Sequence, residues 1–169
     1  WKDTIEKELS STNINVTCKV VDGGYTRSES SYLGLQACSS KCEKVLIHDA
    51  ARPFVSEEIY DSCIEYLDRY DSVIPIIPSK DTSIYFNSSK DIDFINREKI
   101  RLVQTPQAFK YDMIIDAYKN QEDEKTDDLQ VLLKYNPKAK IKFIEGSEKN
   151  FKVTTKNHID IIKELHKIN

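Results

Sequence analysis

Two short apolar runs, residues 44–48 (KVLIH) and 72–77 (SVIPII), constrain the fold of this chain most. Neither alternates polar with apolar, as a strand with one wet face does. The first stops abruptly at Asp49, the pattern of a strand covered on both faces in a parallel sheet, and the second reads as the next strand. Between them Ser56 reads as an N-cap, with Glu57 and Glu58 favourable to the helix dipole in the first turn. Ile59, Cys63, Ile64 and Leu67 then recur at helical spacing. Strand, helix, strand in this order predicts right-handed crossovers, hence an α/β fold with a mostly parallel sheet and helices on its faces.

The rest of the chain extends the pattern. Residues 17–21 alternate and run into Asp22-Gly23-Gly24, which predicts a strand and a turn with positive φ, followed by a helix over 28–39. Between about 80 and 107 the character changes. The β-prone pieces 83–86, 92–95 and 101–104 surround the polar turn Asn87-Ser88-Ser89-Lys90, the signature of a projecting β-hairpin arm. Helices are predicted over 111–120 and 128–134, a strand over 141–145, and a closing helix over 157–168 with Ile159, Ile162 and Leu165 inward. No repeat or low-complexity linker divides the chain, so residues 1–169 are expected to form a single domain carrying the arm.

Charge and composition narrow the function. The 25 basic and 28 acidic side chains are mixed along the sequence for a net charge of -3, which leaves no polyanion-binding face and argues against nucleic acid. The longest apolar stretch, 73–77, is broken by Pro75 and falls far short of the ~20 residues of a membrane span. With no basic segment leading into an apolar one at the start, a cytoplasmic location is expected. Cys38 and Cys42 stand four apart in a predicted helical region, and no His or second Cys pair lies at zinc-like spacing. They and Cys18 and Cys63 read as reduced thiols.

Ligands of open parallel sheets bind beyond the carboxyl ends of the strands. Three such places carry chemistry-bearing residues: Gly23-Gly24, Asp49 to Pro53, and Gly146 to Lys152. Asp49 directly after a strand can hold a divalent cation against phosphate oxygens, and Arg52 can bind a phosphate. Asp49 is equally readable as a helix cap and Arg52 as a surface side chain. Gly23-Gly24 with Arg27 and Ser30 can bring N–H groups and a hydroxyl to a nucleotide, or can simply make a turn. Lys152 can reach a phosphoryl group as a point charge, and Arg97 sits in the arm; each alone is also an ordinary solvated cation.

In order along the chain stand VDGGYTRSESSYLGL (21–35), VLIHDAARPFVS (45–56), VIPIIPSKDT (73–82), INREKIRLVQTPQAF (95–109), TDD (126–128) and EGSEKNFKVTT (145–155). Together they resemble the successive motifs of the 2-C-methyl-D-erythritol 4-phosphate cytidylyltransferases of the non-mevalonate isoprenoid pathway. The resemblance implies a Rossmann-like nucleotidyltransferase fold and Mg²⁺-dependent transfer of CMP from CTP to a sugar-alcohol phosphate. It also implies a homodimer in which each arm reaches over the partner's active site. Carried over by position, Gly23, Gly24, Ser30, Asp49 and Ala50 would meet the nucleotide, with Asp49 the candidate metal ligand. Arg52, Thr82, Arg97, Thr105 and Thr126 would form the methylerythritol phosphate pocket. Asp49, Arg97 and Lys152 would act at the reacting phosphate. Tyr25 departs from the pattern, standing where the family often carries Asp. The family's Gly-rich CTP loop would precede residue 1, so the chain is expected to be a fragment, catalytically silent by itself.

Two other readings compete. Ribitol 5-phosphate cytidylyltransferases share the fold, the QTPQ string and the closing Lys-Val/Ile-Thr-Thr, but Ala50-Ala51 and Lys80-Asp81-Thr82 resemble the methylerythritol enzyme more. A non-enzymatic dimerisation or binding module would keep the arm, yet has no physical need for Asp49, Arg52, Arg97, Thr105 and Lys152 together.

Overall fold

The computed structural model describes residues 1–12, 15–86, 91–123 and 125–168. The turn expected at Asn87-Ser88-Ser89-Lys90 lies outside them, as does the side chain of Leu165. In chain order the elements are α1 (Lys2–Ser11), α2 (Arg27–Gln36), β1 (Lys44–Ile47), α3 (Glu57–Tyr66), β2 (Ser72–Pro78), β3 (Ser83–Phe86) and β4 (Ile92–Ile95). A 3₁₀ turn (Arg97–Lys99), β5 (Arg101–Val103), β6 (Gln107–Lys110), α4 (Tyr111–Lys119), α5 (Asp128–Tyr135), β7 (Ile141–Glu145) and α6 (Lys156–Ile168) follow.

One sheet has the strand order β1-β6-β2-β5, with β7 also paired to β2; β3 and β4 form a separate two-stranded sheet. The α/β class is as expected, but the mostly parallel sheet is not. β7 runs parallel to β2, Ser72 opposite Ile141 through Ile76 opposite Glu145. β5 runs antiparallel to it, Ile76 opposite Val103 and Pro78 opposite Arg101. The arm turns the chain back on itself without a crossover helix, and a direct return of that kind can only pair antiparallel.

Residues 17–21 form no strand. A strand exists only through its ladder, and no backbone hydrogen bond of this segment is found among the described residues. Neither α1 nor β6 follows from the apolar patterning; α1 buries none of its residues.

The chain packs as two compact units, residues 1–45 with 109–139, and residues 46–108 with 140–169. In the first, α4 packs on α2 and α5, burying Ile114, Ile115, Ala117 and Tyr118, while α5 contributes Leu129, Val131 and Leu132. Asp127 caps α5, its carboxylate accepting from the Leu129 N–H at 3.0 Å. In the second unit, Ile59, Cys63 and Leu67 of the α3 region pack with Val73 and Ala108, flanked by Leu46, Val55, Tyr66 and Ile144. Burial pushes the Cys63 thiol up to about 12. Ile64, expected on this face, is exposed, as is Ile159 of α6. Ser56 stands at the N-cap position of α3, though its side chain caps no backbone N–H of the helix.

The arm is a regular hairpin, Ser83 opposite Ile95 and Phe86 opposite Ile92. Its apolar side chains are not buried: Phe86 is 62% and Phe94 77% exposed, and Ile84, Tyr85 and Ile92 are open as well. A lone two-stranded hairpin is marginal in water, so such a surface calls for a cover.

Candidate functional site

The end of β1 delivers His48 and then Asp49 into a tight loop, closed by the Arg52 N–H donating to the Asp49 carbonyl at 2.9 Å. Asp49 is the focus of the second unit. Its Oδ2 lies 2.9 Å from Lys152 Nζ and 3.7 Å from Arg52 Nε, with the Asp49 and Arg52 side chains only 15% and 13% exposed. At 3.7 Å the Arg52 contact is electrostatic rather than a hydrogen bond. Burial lowers the Arg52 pKa from its ordinary value, and Asp49 opposes that shift. The guanidinium stays charged at any ordinary pH. Its Nη1 donates to the Asn150 carbonyl at 2.8 Å.

His48 braces the loop. Its Nε2 faces the Arg52 carbonyl at 3.0 Å, an oxygen that can only accept, so Nε2 carries the proton in the neutral ring. Nδ1 is then an acceptor, and the Thr105 hydroxyl donates to it at 3.0 Å. The same hydroxyl oxygen accepts the Asp49 N–H at 3.0 Å. Thr105 therefore anchors the backbone of Asp49, and its own proton is committed to His48.

Thus Asp49, Arg52, Thr105 and Lys152, drawn from three different motifs, meet in one cluster, and Ala50 lies in its loop. Thr82 and Arg97 do not join it. Thr82 is exposed, and the exposed Arg97 guanidinium donates to the Lys80 carbonyl at 3.2 Å, both near the arm. Neither hydrogen-bonds the Asp49 cluster among the described residues.

Gly23, Gly24, Ser30 and Thr126 belong to the first unit. The Gly24 N–H donates to Ser30 Oγ at 3.0 Å, and that hydroxyl donates to the Thr26 carbonyl at 2.9 Å. Thr26 caps α2, accepting the Glu29 N–H at 3.1 Å, while the Glu29 carboxylate accepts the Tyr25 N–H at 2.7 Å. No described glycine has the positive φ expected of this turn. Glycine is needed for room instead: a Cβ on Gly24 would lie 2.5 Å or less from Glu29 Cβ, Cγ and Cδ. Tyr25, at the departure from the family pattern, projects fully into solvent. Thr126 is exposed just before the α5 cap.

Sequence reasoning overlooked His48, Gln104 and Asn150 as site residues. Gln104 and Asn150 are buried polar side chains, 3% and 0% exposed, beside Thr105 and two residues before Lys152. The available signal was an amide residue next to each predicted functional one. Among the described residues no group of three or more His, Cys, Asp or Glu could hold a metal unaided.

Comparison with known proteins bears on this geometry. A family model described as 2-C-methyl-D-erythritol 4-phosphate cytidylyltransferase matches residues 2–164. A protein of that name from Clostridium botulinum (strain 657 / Type Ba4) is 42% identical over 147 residues, 85% of this chain and 63% of the relative. The chain thus spans less than two-thirds of the length of that relative. The crystal structure of 4-diphosphocytidyl-2C-methyl-D-erythritol synthase from Anaerococcus prevotii DSM 20548 superposes with a TM-score of 0.89 at 32% identity, over 98% of this chain and 77% of that one. The 2-C-methyl-D-erythritol 4-phosphate cytidylyltransferase of Thermus thermophilus gives 0.77 at 30% identity, over 87% and 72%.

Proposed function

Because the chain belongs to the 2-C-methyl-D-erythritol 4-phosphate cytidylyltransferase family, we propose that the protein transfers CMP from CTP to 2-C-methyl-D-erythritol 4-phosphate. The products are 4-diphosphocytidyl-2-C-methyl-D-erythritol and pyrophosphate. The observation that carries this reading is the cluster at the end of β1, in which Lys152 Nζ stands 2.9 Å from Asp49 with the Arg52 guanidinium alongside. Two cations and one carboxylate in a partly dehydrated loop suit a reaction among anions.

An acceptor phosphate oxygen attacks the α-phosphorus of CTP in line, and the bond to the pyrophosphate oxygen breaks as the new bond forms. Little covalent chemistry falls to the protein. Lys152 neutralises charge gathering on the α-phosphoryl oxygens, and Arg52 holds the acceptor phosphate; Thr82 and Arg97, which stand by the arm and away from this cluster, would reach such a pocket in the second copy of a homodimer. Gly23, Gly24, Ser30 and Ala50 would meet the nucleotide. Asp49 keeps Lys152 directed at the reacting centre and, with substrate phosphates, fits Mg²⁺, a cation usually held by one or two carboxylates plus phosphate oxygens. Bound there, Mg²⁺ would neutralise phosphate charge.

The exposed apolar hairpin supports a homodimer in which the arm covers a second copy. The reaction is assigned to the cytoplasm, a location compatible with there being no described helix long and apolar enough to cross a membrane.

The test is pyrophosphate release by the full-length protein with CTP and Mg²⁺, offering methylerythritol phosphate and ribitol 5-phosphate separately. Turnover with the first is expected. Turnover with only the second moves the protein to the ribitol enzymes, and silence with both removes the enzymatic reading.

A further inference from the structure

We propose that Gln104 is a positioning residue for Lys152: its buried carboxamide fixes the turn from which Lys152 reaches Asp49. The inference rests on the reading of the Asp49 cluster as the reaction centre.

Gln104 Nε2 donates to the Ser147 carbonyl at 2.8 Å and to the Asn150 carbonyl at 3.3 Å. Its Oε1 accepts from the Ser147 N–H at 3.1 Å and from Asn150 Nδ2 at 3.4 Å. The side-chain amide therefore pairs with both the N–H and the C=O of Ser147, as a neighbouring strand's peptide group would. A hydrocarbon side chain filling the same volume at 104 would leave these groups unpaired, and each such orphan carries a desolvation penalty. Gly146 provides the space, since a Cβ there would lie 2.5 Å from Gln104 Oε1 and 3.2 Å from the Ile76 carbonyl oxygen.

The turn is tied down further along. Asn150 Nδ2 donates to the Thr105 carbonyl at 2.8 Å, and Arg52 donates to the Asn150 carbonyl at 2.8 Å. Immediately after Lys152, the Val153 N–H donates to the Ala51 carbonyl at 2.7 Å. Lys152 is thus suspended between a clamp at 147–150 and a single bond at 153, with its ammonium on Asp49. A cation that must meet charge developing in a transition state is effective when its position is fixed before reaction. A lysine stem has no such fixity of its own. The clamp gives the backbone under Lys152 that fixity.

The decisive variant is Gln104→Glu, which keeps the volume and both acceptor contacts but sets an oxygen against the Ser147 and Asn150 carbonyls. In the full-length protein kcat for CMP transfer is expected to fall about 100-fold, the cost of roughly 1 Å of misplacement. KM for both substrates should stay within about twofold, the pattern of an interaction made only in the transition state. In a Lys152→Ala background the same substitution should lower kcat no further. Losses that multiply in the double variant, or a raised KM with kcat intact, overturn the proposal. If Gln104→Glu fails to fold, Gln104→Ala opens space for water to serve the same groups, and the identical cycle applies. Amide exchange decides the clamp without turnover: the Ser147 N–H is expected to be protected in the wild type and to exchange at least tenfold faster in Gln104→Ala. An unprotected wild-type Ser147 sinks the proposal. A full-length protein silent with every acceptor removes the functional reading and leaves the exchange result to judge the clamp.

Discussion

Each unit of the molecule contains an aspartate paired with a cation, and the two pairs are built for opposite ends. In the first unit Asp128 is fully buried; Arg27 Nη2 stands 2.7 Å from its Oδ2, and the Tyr118 hydroxyl donates to its Oδ1. Both carboxylate oxygens are thus satisfied inside the fold, and the Tyr118 pKa is raised, by burial first and then by the Asp128 charge. In the second unit Asp49 meets Lys152 at 2.9 Å, but there the side chains are 15% and 40% exposed. A carboxylate sealed on every side, with both oxygens committed to protein donors, is scaffold. One left partly open, with a partly exposed lysine as partner, can trade that partner for a ligand.

Removing Asp128 should therefore have the largest effect on folding. Asp128→Ala strands the Tyr118 hydroxyl and takes the counter-charge from Arg27. Because Arg27 is a third exposed, the cost sits at the low end for a broken buried pair, about 3 kcal/mol. Urea denaturation of the variant measures it. A loss under 1 kcal/mol would mean that the two pairs are not different in kind.

The mirror-image substitution sharpens the contrast. Lys152→Ala should leave stability within about 1 kcal/mol of the parent, the usual scale of an exposed ion pair. In the full-length protein it should cost about 100-fold in kcat for CMP transfer, or roughly 2.7 kcal/mol of barrier. Parallel melting curves and steady-state kinetics test both halves. A Lys152→Ala protein that melts early but turns over normally would make Asp49 and Lys152 scaffold too.

How far this contrast was visible in the sequence depends on the range of the signal. β3, β4 and β7 fall where β-prone or apolar runs bounded by polar residues placed them, because a strand's own residues carry that pattern. β6 escaped because QAFK is short and runs straight into α4. The strand expected over 17–21 failed for the converse reason: alternation shows only that a segment could pair, and pairing needs a partner. Asp49, Arg52, Thr105 and Lys152 were legible as a set through ordered motifs. The bonds that join them were not. Gln104 clamps a turn 43 residues away through its side-chain amide, and His48 binds Thr105 across 57 residues. Contacts of that kind leave no periodicity in the chain. The buried pair of Asp128 and Arg27, 101 residues apart, was hidden in the same way.

The smallest expected effect lies at the turn before α2, where the first unit supplies residues assigned to the nucleotide. Gly24→Ala places a methyl group where Glu29 now lies, at 2.2 Å from its Cγ. The Glu29 carboxylate is exposed and can swing into solvent, releasing the Tyr25 N–H it accepts at 2.7 Å, but the Glu29 Cβ, 2.5 Å from the new methyl, moves only with the backbone. The loss is then one hydrogen bond, about 1 kcal/mol or less since water can replace the carboxylate at an exposed amide, together with a small shift of the turn. If Gly24 serves only the fold, Gly24→Ala should destabilise somewhat more than Glu29→Ala, because alanine at 29 keeps the Cβ that the new methyl meets, and the double variant should match Gly24→Ala. If the N–H groups of the turn also hold CTP, Gly24→Ala should raise KM for CTP in the full-length protein by more than that small destabilisation explains. Glu29→Ala, which leaves Gly24 and its bond to Ser30 in place, should then not. Equal KM values in the two variants would assign the glycine turn to the scaffold with Asp128, leaving the open Asp49 pair as the functional half of the comparison.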